Sequence, residues 1–112
     1  MTKKIVFQYF DGCPHYTETL KNLESLLNAK LFVDVELEIV EVPTPKLAKE
    51  LNFQDSPTVL LDDIDIYTEE VPSSYNYSCR IFNIDGQQTG VLSTDYLRKK
   101  LVKLGITQPN KP

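Results

Sequence analysis

The order of apolar patterns along this chain of 112 residues predicts one α/β domain with the succession strand, helix, strand, short helix, strand, strand, helix. Three observations carry that reading. An almost continuous apolar run from Ile5 to Phe10 gives way to leucines at helical spacing and then to a stretch that alternates with a period of two. Two further apolar runs and a final leucine-bearing stretch repeat the change of period in the second half. Leu, Ile, Val and Phe make up about 31% of the chain, above the roughly 20% below which chains tend to stay disordered, so a core is expected. The length suits a single domain, placed at residues 1–106, with a flexible tail at 107–112.

Ile5-Val6-Phe7-Gln8-Tyr9-Phe10, ended by Asp11-Gly12, reads as a central strand covered on both faces. Pro14 then opens a helix over about 14–30, whose buried stripe is Leu20, Leu23, Leu27 and Leu31. From Val33 the period drops to two: Val33, Val35, Leu37 and Ile39 alternate with Asp34, Glu36 and Glu38, as in a strand with one wet face. The helix between these strands implies that they lie parallel. Thr44-Pro45 caps a short helix carrying Leu47, Ala48 and Leu51 and ending near Asn52. Thr58-Val59-Leu60-Leu61 is a third strand, stopped by Asp62-Asp63. Residues 64–78 show no period and read as a long loop, turned at Pro72-Ser73-Ser74. Arg80 to Ile84 reads as a fourth strand closed by Asp85-Gly86. Ser93 or Thr94 caps the last helix, with Leu97, Leu101 and Leu104 on its stripe, lysines in its last turns and Gly105 at its end.

Composition bounds the function. Sixteen acidic against twelve basic residues give a formal charge of −4, the wrong sign for a phosphate-binding surface, so nucleic acid is not expected as a partner. The apolar stretch after Met1-Thr2-Lys3-Lys4 is too short for a signal sequence or a membrane span, so no membrane association and a cytoplasmic location are expected. Two cysteines 66 positions apart and one histidine fit neither a disulfide-stapled secreted scaffold nor a local zinc pattern, and no metal is expected.

Cys13 stands at the strand-to-helix junction. It is expected to cap the helix, with its sulfur toward the unpaired N–H groups of the first turn, where a thiolate is favoured over a thiol. Pro14 sets φ of the first turn and His15 brings a titratable positive charge. Gly12 allows the tight turn and leaves the sulfur approachable. The plain alternative is that Cys13 is a small apolar residue at a helix start, His15 an exposed side chain without a role, and Asp11 the end of a strand. Pro57 has its own plain reading, a proline beginning a strand. Five tyrosines, Tyr9, Tyr16, Tyr67, Tyr75 and Tyr77, either line a groove or complete the core and its rim.

Phe10-Asp11-Gly12-Cys13-Pro14-His15-Tyr16 after a first strand, together with Asp55-Ser56-Pro57-Thr58 before a third, resembles the thioredoxin superfamily over residues 4 to about 104. Cys13-Pro14-His15 resembles the first three positions of the Cys-Pro-His-Cys site of bacterial disulfide oxidases. With Ser78-Cys79-Arg80, the chain is similar to small glutaredoxin-like or thioredoxin-like proteins, some of them associated with alkylmercury lyase. The resemblance implies a four-stranded mixed sheet flanked by helices, and a cis-proline loop at Ser56-Pro57-Thr58 that faces Cys13 and pairs its backbone with substrate. It implies no bound cofactor. Tyr16 occupies the place of the second cysteine, so a mixed disulfide on Cys13 needs release by another thiol. On the superfamily topology Cys79 falls at the far end of the fourth strand, which argues for a structural Cys79 over a second reacting thiol.

Three functions compete. The first is a monothiol thiol-disulfide oxidoreductase with Cys13 as nucleophile and His15 tuning it. Pro14, Tyr16, Ser56, Pro57 and Thr58 then surround a disulfide-containing protein substrate, and glutathione serves as co-reactant. The second is a module that binds a soft metal, a mercurial or a partner peptide at Cys13 and Pro57 without turnover. The third is a scaffold that keeps the fold without the chemistry.

Overall fold

The computed structural model describes residues 2–29 and 32–106. Its first strand, β1 (Lys3–Tyr9), lies inside a four-stranded mixed sheet. On one side runs β2 (Val35–Glu41), parallel, with Lys3 opposite Val35 and Tyr9 opposite Glu41. The intervening α1 (Tyr16–Asn28) provides the crossover that a parallel pair requires. After α2 (Pro45–Leu51) and the short β3 (Gln54–Ser56), β4 (Thr58–Leu61) pairs antiparallel with the other side of β1. The fourth strand is β5 (Ile64–Asp65), a two-residue turn-back on β4.

The apolar stripes explain the packing. Ile5 and Phe7 of β1, Val59 and Leu61 of β4, Leu23 and Leu26 of α1, and Leu97 and Leu101 of α3 (Thr94–Lys103) form one buried cluster. Burying each such side chain stabilises the fold by roughly 1.5–3 kcal/mol before the cost of ordering it. A smaller cluster is built separately: Val42, Ala48 and Phe53 are buried, with Phe10, Val40, Leu47 and Tyr77 against them. Helix ends follow the capping chemistry. Thr44 Oγ1 accepts from the Leu47 N–H at 3.2 Å, and Ser93, not Thr94, caps α3 by accepting from the Tyr96 N–H at 3.1 Å. Asn52 closes α2 in the left-handed region at φ 53°.

Three expectations are corrected. Residues 64–78 are not simply a loop, because they contain β5 and most of β6 (Asn76–Cys79), which runs parallel to β3. Nor is Arg80 to Ile84 one strand of the sheet. Arg80 turns inward, where its guanidinium meets Asp65 Oδ2 at 2.8 Å and lies 5.1 Å from the ring centres of both Tyr67 and Phe82. A buried ion pair needs that enclosure, and it interrupts the strand. Phe82 then starts a separate hairpin of β7 (Phe82–Ile84) and β8 (Gln87–Thr89). The first helix starts at Tyr16 rather than Pro14, with His15 as its N-cap. The expected helix residue Lys30, the stripe position Leu31 and the tail at 107–112 lie outside the described residues.

Candidate functional site

Cys13 follows the end of β1 by four positions and precedes the N-cap of α1 by two. It is therefore not the cap. Its backbone bridges the turn instead: the Cys13 N–H donates to the Phe10 carbonyl and the Tyr16 N–H donates to the Cys13 carbonyl, both at 3.4 Å. Pro14 and His15 are exposed, but Cys13 is only 2% exposed, which overturns the expectation of a sulfur open to water.

What covers it is Cys79. The two cysteines form a disulfide, with their Cα atoms 5.5 Å apart. Cys79 is thus neither remote nor a buried structural residue, since it lies on an exposed edge of β6. The expected distance assumed that residues 80–84 continued the main sheet. Instead β6 pairs with β3, placing Cys79 beside Ser56, and Ser56 is fastened to the end of β1 by its Oγ, which accepts from the Phe10 N–H at 3.1 Å. Three segments distant in sequence converge there: the 10–15 turn, the 54–58 segment and β6.

The Ser56–Pro57 peptide is cis. Ser56, Pro57 and Thr58 are all buried, and the Ser56 carbonyl accepts from the Arg80 N–H at 2.9 Å. The chain's own residues 76–80 therefore occupy the backbone edge that was expected to pair with substrate. Thr58 Oγ1 donates to the Asp55 carbonyl at 2.6 Å, and Asp55 Oδ1 accepts from both the N–H and the hydroxyl of Ser78, at 2.8 and 2.9 Å. Asp55 itself sits in the left-handed region at φ 76°.

Aromatic rings brace the same corner. Phe10 stacks on Tyr77 with ring centres 4.5 Å apart, and the Tyr77 hydroxyl donates to the Val42 carbonyl at 2.9 Å. Gly12 serves this stack rather than opening the sulfur to solvent, because a Cβ there would meet the Phe10 ring at 2.8 Å. Tyr16 stacks on Tyr9 at 4.2 Å and donates its hydroxyl to Asp11 Oδ1 at 3.0 Å. That hydrogen bond, with burial and the charges of Asp11 and Glu41, raises the phenol pKa above its ordinary value. His15 lies against Gly90, where a Cβ would come within 2.9 Å of the imidazole. Of the remaining tyrosines, Tyr67 is held by the Phe82 and Arg80 packing and Tyr75 is exposed.

The contributors that sequence reasoning missed are Phe10 and Tyr77 as a stack and Asp55 as the clasp on β6. Their only advance signal was Asp55-Ser56-Pro57-Thr58 and the concentration of aromatic residues around each cysteine. Among the described residues no group of three His, Cys, Asp or Glu side chains could hold a metal ion, and no helix is long and apolar enough to cross a membrane. A cleft of about 460 Å³ lies between the β7–β8 hairpin and α3 and includes neither cysteine. No family model, curated protein or solved structure matches the chain, so the reading of the site rests on its own geometry.

Proposed function

We propose that the chain is a thioredoxin-like thiol-disulfide oxidoreductase whose redox couple is Cys13–Cys79. The observation that carries this reading is the asymmetry of the pair, a 2% exposed Cys13 joined to a Cys79 on an exposed strand. Exchange requires a thiolate to reach one sulfur in line with the bond, and access decides which sulfur. Cys79 is the reachable one. An incoming thiolate forms a new S–S bond to Cys79, the Cys13–Cys79 bond breaks, and its electron pair leaves on Cys13 as a thiolate. A second thiolate of the partner attacks the partner's own sulfur in that mixed disulfide. It releases the partner as a disulfide and Cys79 as a thiolate, so two electrons pass to the protein. The reverse sequence reduces a partner disulfide to a dithiol and returns the Cys13–Cys79 pair to the disulfide.

This reading replaces the monothiol cycle: Cys79 supplies the second sulfur that Tyr16 does not, and glutathione becomes one external reductant among several. Cys13, close to the start of α1, is the leaving thiolate, a role that the positive helix end favours. Turnover of a mixed peptide disulfide by the full chain tests the proposal, with Cys13→Ala and Cys79→Ala alongside. The expected results are catalytic exchange by the unmodified chain, loss of turnover in both variants, and an acid-quenched adduct mapped to Cys79. An adduct confined to Cys13, or turnover that survives Cys79→Ala, overturns it.

The β3–β6 clasp favours a second reading, a disulfide that only staples a scaffold. In that case none of the three proteins accelerates exchange.

A further inference from the structure

We propose that this redox pair selects cationic thiols, so that its partner is a cysteine-bearing polypeptide with basic residues beside the cysteine rather than the anionic tripeptide glutathione. The inference rests on the disulfide being an exchange site, as proposed above, and adds the class of partner.

The argument is the charge on the segments that frame the disulfide. Asp11 lies two positions before Cys13 and is exposed. Its Oδ1 is engaged by the Tyr16 hydroxyl, and its Oδ2 has no hydrogen bond among the described residues. Asp55 stands beside Ser56, the residue opposite Cys79 across the β3–β6 pair. Its Oδ1 holds Ser78, and its Oδ2 is likewise without a hydrogen bond among the described residues. Glu41 is exposed at the end of β2, opposite Tyr9, whose ring stacks on Tyr16. Of the three framing segments the 10–15 turn and the 54–58 segment each bring a carboxylate, and the end of β2 adds Glu41.

The basic residues on these segments are Arg80 and His15, and α2, packed against Tyr77 of β6 through Leu47 and Ala48, adds the exposed Lys46 and Lys49 with Glu50 beside them. Arg80 adjoins Cys79 in sequence, yet its guanidinium is 9% exposed and bound to Asp65, so its charge is neutralised inside the fold. His15 is the basic residue of the 10–15 turn, and its imidazole lies against Gly90. Attack on Cys79 brings a thiolate toward this rim. The rim opposes every thiolate, and it opposes least the one that carries a compensating ammonium or guanidinium. Fixed like charges of this kind act chiefly on the encounter rate and fade with added salt.

The experiment measures reduction of the intact oxidised chain by three small thiols: cysteamine, 2-mercaptoethanol and 2-mercaptoethanesulfonate. Each rate is expressed per thiolate and corrected for the same thiol acting on an uncharged linear disulfide. At low salt cysteamine is expected to exceed the sulfonate by about tenfold, with the neutral thiol between them. At 0.5 M salt the three should converge. Asp11→Asn combined with Glu41→Gln keeps an oxygen to accept from Tyr16 and is expected to bring the ratio down to about threefold. Equal rates at low salt, faster reduction by the sulfonate, or a ratio untouched by the double substitution overturns the selectivity while leaving the exchange site standing. Failure of all three thiols to reduce the native chain instead removes the exchange site itself, and the selectivity with it.

Discussion

The two clusters of this molecule are built on different principles. The larger one joins the main sheet to α1 and α3 through residues that recur at regular intervals, with Ile5 and Phe7 in register with Val59 and Leu61. The smaller one gathers Val42, Ala48 and Phe53 beneath Phe10 and Tyr77, which come from unrelated stretches and meet through ring stacking and a few hydrogen bonds. One cluster is periodic and the other is assembled from single contacts. The disulfide joins the turn ahead of α1 to a strand of the second cluster, so it is where the two are stitched together.

The largest expected effect is on the periodic side. Phe7→Ala empties a fully buried position and should cost about 3–5 kcal/mol, lowering the urea midpoint equally by every probe of the whole domain. Reduction of the disulfide comes next. Opening a loop closed across 66 positions should cost about 2–4 kcal/mol. By amide exchange the loss should concentrate in β3, β6 and the 10–15 turn, with β1 and α1 retaining their protection relative to the new global stability. Uniform loss of protection after reduction would mean that the two clusters are one cooperative unit.

The smallest effect is electrostatic. Glu69, on the turn after β5, accepts hydrogen bonds from Lys100 and Lys103 of α3, and these hold its pKa below 4.5. A lowered carboxylate pKa contributes stability above the unfolded value of about 4.5, and that contribution is lost as pH falls through the folded value. Stability of Glu69→Gln followed between pH 6 and pH 3 should therefore fall less steeply than that of the unmodified chain, with the two curves converging at the acid end.

What was legible in the sequence follows the same division. Leucine spacing and the change of period located α1, β2, α2 and α3, because each buries one face and so repeats with its own geometry. The site residues on the 10–15 and 55–58 segments were also visible as candidates. Asn76-Tyr77-Ser78-Cys79 was not visible as a strand, since a short, mostly exposed pairing with β3 leaves no periodic trace. Nor could the letters tell that Arg80 turns inward to Asp65, and that inward turn is what carries Cys79 to Cys13 instead of to the far end of the sheet.

The most direct measurement is the midpoint potential of the Cys13–Cys79 couple, obtained by equilibrating the folded chain in graded thiol–disulfide buffers and quantifying the oxidised fraction by mass. A couple that exchanges with partners should titrate between about −120 and −270 mV, the span of thioredoxin-class proteins. A midpoint below about −300 mV, the range of structural disulfides, would contradict the proposed activity and leave the bond as a staple.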